Sequence, residues 1–328
     1  MATKRRAAGD RPRHHHYVPT FYLAGFTGDE TGDGAFYVID LQKKTQRRST
    51  PKRTAHRHDF HRVDLGPTQD PMVIERKLAE LEGEWSRVVN DLIRQPTLPC
   101  GEALCDLLAF VAFMAVRVPR IRDEVARFMD RVHKAELMAA VATPEGRAYF
   151  QNAANEHWQT LPASKRAKLR RLLPSAPDVN AMAQYISWGE FTVTVDKTWH
   201  VQNMIEMALT LLPVLGMRRW RLVVVADDAP DLICSSSPVC LTWSTAITSL
   251  YAPGFGLRNT LITLPINRRL MVESTFEDLP ATMVLNRDHV AAMNSRTAMF
   301  ADEVYSSTLD FVVQTSDGRT VGAQSLLS

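Results

Sequence analysis

Three adjacent histidines, His14, His15 and His16, run directly into Tyr17-Val18-Pro19 and an aromatic segment holding Phe21, Tyr22, Leu23 and Phe26. Imidazole is the side chain best suited to proton transfer and transition-metal ligation near neutral pH. His15 and His16 are therefore candidate catalytic residues, one acting as general acid/base or metal ligand while the other orients it. The alternative is one hydrogen-bonded core histidine beside one exposed neighbour, since adjacent side chains commonly diverge. His14 reads as surface-exposed. A second group follows, in which His56 and His58 would point the same way on a strand and His61 would converge after a turn, as in a transition-metal site.

Two acids and two arginines complete the candidate chemistry. Ile74, Leu78, Leu81, Trp85, Val88 and Leu92 recur at spacings of three and four, which predicts a helix with Glu75 and Glu82 on the border of its apolar stripe. Neither glutamate has a Lys or Arg three or four residues away. On a straight helix a heptad separates their backbones by roughly 10 Å, too far for both to hold one ion easily. Each needs a partner from another element. Arg117 follows Phe110, Phe113 and Met114 at helical spacing, with Arg120 one turn later. A guanidinium so placed requires an anion, either a bound ligand or Glu75 or Glu82 in an inter-helix salt bridge.

Several chemistries lack their signatures. The Ser235-Ser236-Ser237 run has no G-x-S-x-G and reads as a strand-end turn, and there is no P-loop or GxGxxG fingerprint. Cys100, Cys105, Cys234 and Cys240 form no CxxC pair and no zinc-ligand spacing, so neither a disulfide framework nor a structural zinc site is expected, and a reducing cytoplasm fits. Charged residues follow Lys4-Arg5-Arg6 where a signal peptide would be apolar, and the apolar run Leu107–Val116 is too short to span a bilayer. The expected protein is soluble, without a membrane partner. Net charge is +3, but residues 1–62 carry 13 Lys and Arg against six Asp and Glu, a local balance of +7 that leaves −4 for the rest. Such a concentration attracts an anionic ligand, nucleic acid included, or forms a solvated basic tail over residues 1–13.

The positioning elements read as mixed α and β. A short helix after Pro19, a turn over 28–34, a strand over Ala35–Leu41 and a charged connector over Gln42–Arg53 precede the glutamate helix. Glu102 to about Leu137 predicts a second, buried helical region that Pro119 bends or interrupts. Further helices are expected over Glu145–Leu161, Ala163–Leu173, Val179–Trp188 and Val201–Leu212. Strands follow over Trp220–Ala226, Leu232–Cys234, Val239–Trp243, Thr260–Leu264 and Leu270–Glu273, then a helix over His289–Glu303 and a strand near Leu309–Gln314. The expected fold is α+β, a helical middle packed against a mainly antiparallel sheet. Residues 14–328 read as one domain, with a subdivision near 215 into helical and sheet-rich parts.

In order, His15-His16-Tyr17-Val18-Pro19 with Leu23 and Phe26, Glu75 and Glu82, Arg117-Val118-Pro119, and the segment Asn294–Tyr305 make the chain resemble the bacterial domain-of-unknown-function family 4238. The landmarks cover nearly the whole chain. The resemblance brings Asn294 into the candidate ligand-binding set with Arg117 and Arg120, and it supplies no substrate, cofactor or mechanism. Relatives often carry Thr-Ser-Asp-Asn-Pro-Val where this chain has Cys234-Ser235-Ser236-Ser237-Pro238-Val239, so Ser236 stands in place of an acid.

Histidine, acid and arginine together point to a nuclease-like hydrolase acting on nucleic acid or another phosphate-containing anion, with a divalent metal as candidate cofactor. Two alternatives use the same residues, a non-catalytic binding or regulatory module for an anionic ligand, and a small-molecule biosynthetic enzyme.

Overall fold

In the computed structural model of the chain, residues 14–66, 68–172, 184–186, 188, 191–245 and 251–328 are described. The basic tail and most of the helix expected over Val179–Trp188 lie outside them. The N-terminal elements are β1 (His14–His16), α1 (Thr20–Ala24), β2 (Phe36–Asp40), β3 (Thr45–Ser49) and β4 (His56–His58). The connector expected over Gln42–Arg53 thus contains a strand. Thr45-Gln46-Arg47-Arg48 is exposed throughout and has no apolar alternation to reveal it, and it is held as an edge strand by pairing with β2.

Helix α2 (Val73–Arg94) buries Leu78, Trp85, Val89 and Leu92 on one face. Helix α3 (Gly101–Val116) buries every residue from Phe110 to Val116, as a segment apolar all round must. The helical region expected from Glu102 to Leu137 is two helices, not one bent helix. Arg117 closes α3 through its backbone N–H to the Phe113 carbonyl, and α4 (Pro119–Ala142) starts anew. Proline has no N–H to continue the ladder and pushes the preceding Val118 away from helical backbone angles.

Helices α5 (Pro144–Thr160), α6 (Ala163–Leu172) and α7 (Lys197–Gly216) follow. The C-terminal part supplies β5 (Arg219–Val225), β6 (Cys234–Ser235), β7 (Cys240–Trp243), β8 (Thr260–Pro265), β9 (Leu270–Thr275) and β10 (Thr282–Leu285). After it come α8 (Arg287–Met299), β11 (Glu303–Ser306), β12 (Val312–Gln314) and β13 (Thr320–Gly322). The helix expected to reach Glu303 stops at Met299, and Glu303 instead opens a strand that pairs with Asp40 of β2. Strand order is β10-β5-β9-β8-β7 in one sheet and β3-β2-β11-β6 in another, with β1-β4 and β12-β13 as two-stranded ribbons. All these pairings are antiparallel except β10 with β5. The fold is α+β with a helical middle region. Among the described residues no helix is long and apolar enough to cross a membrane.

The chain divides into two compact units, residues 1–122 with 197–328, and residues 123–196. The change from helix to strand near 215 is the α7–β5 junction, inside the first unit. That unit holds the candidate site and a core in which Trp85, Phe110, Leu107 and Met114 from α2 and α3 pack with Tyr22, Leu23 and Phe26. The second unit is helical, and α5 buries none of its residues.

The four cysteines separate into two kinds. Cys100 and Cys105 are exposed, whereas Cys234 and Cys240 lie in the interior, where burial pushes both thiols up to about 12. Only the thiolate is nucleophilic. A disulfide-exchange reagent at about pH 8 should modify two thiols per native chain promptly and the other two only on unfolding, as an absorbance titration would read. Prompt reaction of all four would contradict this packing.

Candidate functional site

The ribbon β1-β4 carries most of the histidines. Its register places His14 opposite His58, His15 opposite Arg57, and His16 opposite His56. Residues facing each other across an antiparallel pair share one face, and neighbours along a strand alternate. His14, His16, His56 and His58 therefore share one face, and His15 takes the other with Arg57. On the first face the His14 and His56 Nδ1 atoms lie 2.8 Å apart, and His16 stacks edge-on to His56 at 5.4 Å. His56 and His58 do point the same way, but His61 does not join them.

His61 goes to the opposite face. Ala55 and Asp59, which bracket β4, have left-handed backbone angles, φ 53° and 51°. These reversals, unusual outside glycine, bring His61 back beside His15. The His61 backbone N–H donates to His15 Nδ1 at 2.9 Å, and the two rings stack at 5.7 Å. From α2, Glu75 reaches both rings, its Oε2 lying 2.8 Å from His61 Nδ1 and 3.6 Å from His15 Nδ1. One ligand atom from each of His15, His61 and Glu75 falls within 4.8 Å of the others. Both histidines are fully buried, while Glu75 is 31% exposed and forms the side that meets solvent.

One heptad along α2, Glu82 accepts from Arg117 Nη1 at 2.7 Å, while Arg117 Nη2 donates to the His16 carbonyl at 2.5 Å. Arg117 thereby clamps α2 and β1 to the end of α3, and it is almost wholly buried. Its Nε, and the Nε2 atoms of His16 and His61, are buried with no hydrogen-bond partner among the described residues. Buried polar atoms are rarely left so, and each one calls for a ligand, an ion or a water.

Electrostatics favours uncharged groups here. Burial holds the His61 imidazole well below its usual range, helped by the Arg117 and Arg122 guanidiniums. Burial also raises the Glu75 carboxyl, against the pull of His15, Arg117 and His16. His16 is lowered by burial, opposed by the Lys52 carbonyl and by Glu82 and Glu75. Neutral imidazole is the metal-ligating form. His15 Nδ1 has one lone pair, which the His61 amide occupies, so an ion on that atom would replace the amide hydrogen.

These shifts set a pH dependence. The native state binds fewer protons on His61 and His16 than the unfolded chain does just below the free imidazole value of about 6.5, so stability rises with pH through that range. Glu75 acts oppositely, over a range beginning near 4.5. Denaturant titrations of chelated protein should show unfolding free energy falling on acidification below about pH 6.5, and His61→Asn should flatten the slope. An unchanged slope in that variant would show that His61 is not held neutral.

His15, His16, Glu75, Glu82 and Arg117 thus come together, with His61 added to them. Arg120 and Asn294 lie elsewhere. The Arg120 guanidinium sits 5.0 Å from the Phe300 ring. Asn294 is completely buried on α8, accepting from the Ile233 N–H and donating to the Asp231 and Val312 carbonyls, which pins β6 and β12 to that helix. Ser236 holds the start of β11, its Oγ accepting from the Asp302 and Glu303 backbone N–H groups.

The family profile described as a protein of unknown function, DUF4238, matches residues 14–310, from the first of the three histidines to just beyond β11. The chain belongs to this family. No curated protein and no solved structure matches it. The matched span includes His15, His61, Glu75, Glu82 and Arg117, so the whole constellation lies within the DUF4238 region.

Proposed function

We propose that this DUF4238 chain is a metal-dependent hydrolase of phosphodiesters, nucleic acid above all, with His15, His61 and Glu75 as the ligands of its divalent ion. The observation that carries the reading is the convergence of two buried imidazoles and one carboxylate from three separate elements. Two histidines and a carboxylate are a donor set suited to zinc and other first-row ions, with positions left for water and substrate. Such an ion supplies an activated water and polarises a phosphoryl oxygen. His16, with Nε2 unpartnered and its imidazole held neutral by burial, is the residue to accept a proton from the attacking water. Glu82 and Arg117 hold the His16 backbone in place. The basic residues of β3, β4 and the turn between them supply the attraction for phosphate.

Full burial of His15 and His61 favours a second reading, a closed structural centre in a protein that binds anions without cleaving them. Purified wild type and His16→Ala would be assayed on single- and double-stranded DNA and RNA with Mg²⁺, Mn²⁺, Zn²⁺ or chelator. The hydrolase reading expects metal-dependent cleavage, reduced by roughly two or more powers of ten in His16→Ala with bound metal unchanged. Absence of cleavage under every condition, with one ion bound per chain, would leave the structural centre.

A further inference from the structure

A cavity of about 370 Å³ opens between β4, the β2-β3-β11 sheet and the Ser236 turn, within the size range of small-ligand sites. Its charges are unevenly compensated. Asp40 is paired with Lys43 at 2.9 Å and Glu303 with Arg47 at 2.7 Å. The guanidiniums of Arg53 and Arg57, which also line it, have no hydrogen-bond or ion-pair partner among the described residues, and against these two cations stands the single carboxylate of Asp302. Ser236 adds a further donor. With both Oγ lone pairs taken by the Asp302 and Glu303 amides, its hydroxyl hydrogen can only be given away.

The cavity adjoins the histidine and glutamate centre through the ribbon. Arg57 faces His15 across the ladder, at a Cα spacing of about 5 Å, and Tyr17, the next residue of that face, also lines the cavity. We propose that this cavity is a phosphate-binding subsite for a nucleotide. Arg53 and Arg57 hold the phosphate oxygens, the Ser236 hydroxyl donates to one of them, and Asp302 accepts from a hydroxyl or amino group of the same nucleotide. Naming a nucleotide rests on the hydrolase reading, whereas the anion site stands on the unpaired donors alone.

Isothermal titration of the full chain in chelator would use inorganic phosphate, adenosine monophosphate and a single DNA strand of about ten nucleotides. One phosphate or mononucleotide should bind per chain. Affinity should fall about tenfold or more in the double variant Arg53→Gln/Arg57→Gln, whose side chains have no structural partner to lose. Ser236→Asp should weaken binding similarly while keeping the fold, because a carboxylate can accept the same two amides yet repels an anion. A strand binding more tightly than the mononucleotide, and equally sensitive to these variants, identifies the ligand as a polynucleotide. Equal affinities identify a free nucleotide. No phosphate or mononucleotide binding at millimolar concentration, or binding indifferent to all three substitutions, overturns the proposal. Because the readout is binding without turnover, a chain that never cleaves but loses phosphate in these variants keeps the subsite and refutes only the hydrolase reading.

Discussion

Glu75→Gln is expected to lower metal affinity by roughly two powers of ten, and metal-dependent cleavage at limiting metal with it, while the native circular dichroism spectrum persists. The substitution is close to isosteric, and the side chain it replaces is partly exposed, so packing around α2 has little to lose. What disappears is the anionic oxygen that sits 2.8 Å and 3.6 Å from the two imidazoles. A neutral amide is a much poorer ligand for a divalent ion, and it cannot offset the ion's charge in a site shared with Arg117. Outer-shell changes alone cost about ten- to a hundredfold in metal affinity, and loss of a direct ligand costs at least as much. His16→Ala should behave oppositely, retaining the ion and losing turnover. The two variants together separate ligation from proton transfer. If Glu75→Gln binds Zn²⁺ as tightly as wild type, measured by competition with a chromogenic chelator, the three-residue centre is not a metal site.

The contrast between these residues also shows which parts of the site the chain declares locally. Glu75 and Glu82 are legible because they ride on a helix whose apolar period is strong, and Arg117 because it ends a segment too apolar to lie on a surface. His61 was visible as a histidine but not as a member of this group. Its arrival beside His15 depends on the non-glycine reversals at Ala55 and Asp59, which no turn signature announces. The β1-β4 pairing joins residues some forty positions apart through strands of three residues each, too short to display any period. HxH spacing suggested His61 would converge with His56 and His58, yet the ribbon turns their side chains to the other face. Arg120 stands one turn beyond Arg117 and Asn294 follows in the family order of landmarks, but neither position along the chain dictates where a side chain points. The C-terminal strands were legible from their β-branched runs. By contrast, β3 is an exposed edge strand and β10 buries only its last residue, Leu285, leaving no buried alternation to read.

Arg117 should prove the least replaceable side chain of the constellation for stability. Its guanidinium has two directed bonds to different elements, Glu82 on α2 and the His16 carbonyl on β1, and it is surrounded by the interior of α3. Removing one partner of a buried pair leaves the other charge without compensation, at a cost of about 3–5 kcal/mol. Arg117→Met should therefore unfold at much lower denaturant, by roughly that amount in unfolding free energy. Arg117→Lys keeps the charge but has no fork, so one ammonium cannot hold both acceptors at their present separation. A loss of about 1–3 kcal/mol is expected from the acceptor left unsatisfied. The informative variant is the pair Arg117→Met with Glu82→Leu. With both charges gone no buried ion stands alone, and the double variant should be more stable than Arg117→Met. If Arg117→Met unfolds within about 0.5 kcal/mol of wild type, as an exposed residue would, the clamp is not a stabilising contact. If the double variant is instead less stable than Arg117→Met, Glu82 has a second partner that matters more than Arg117.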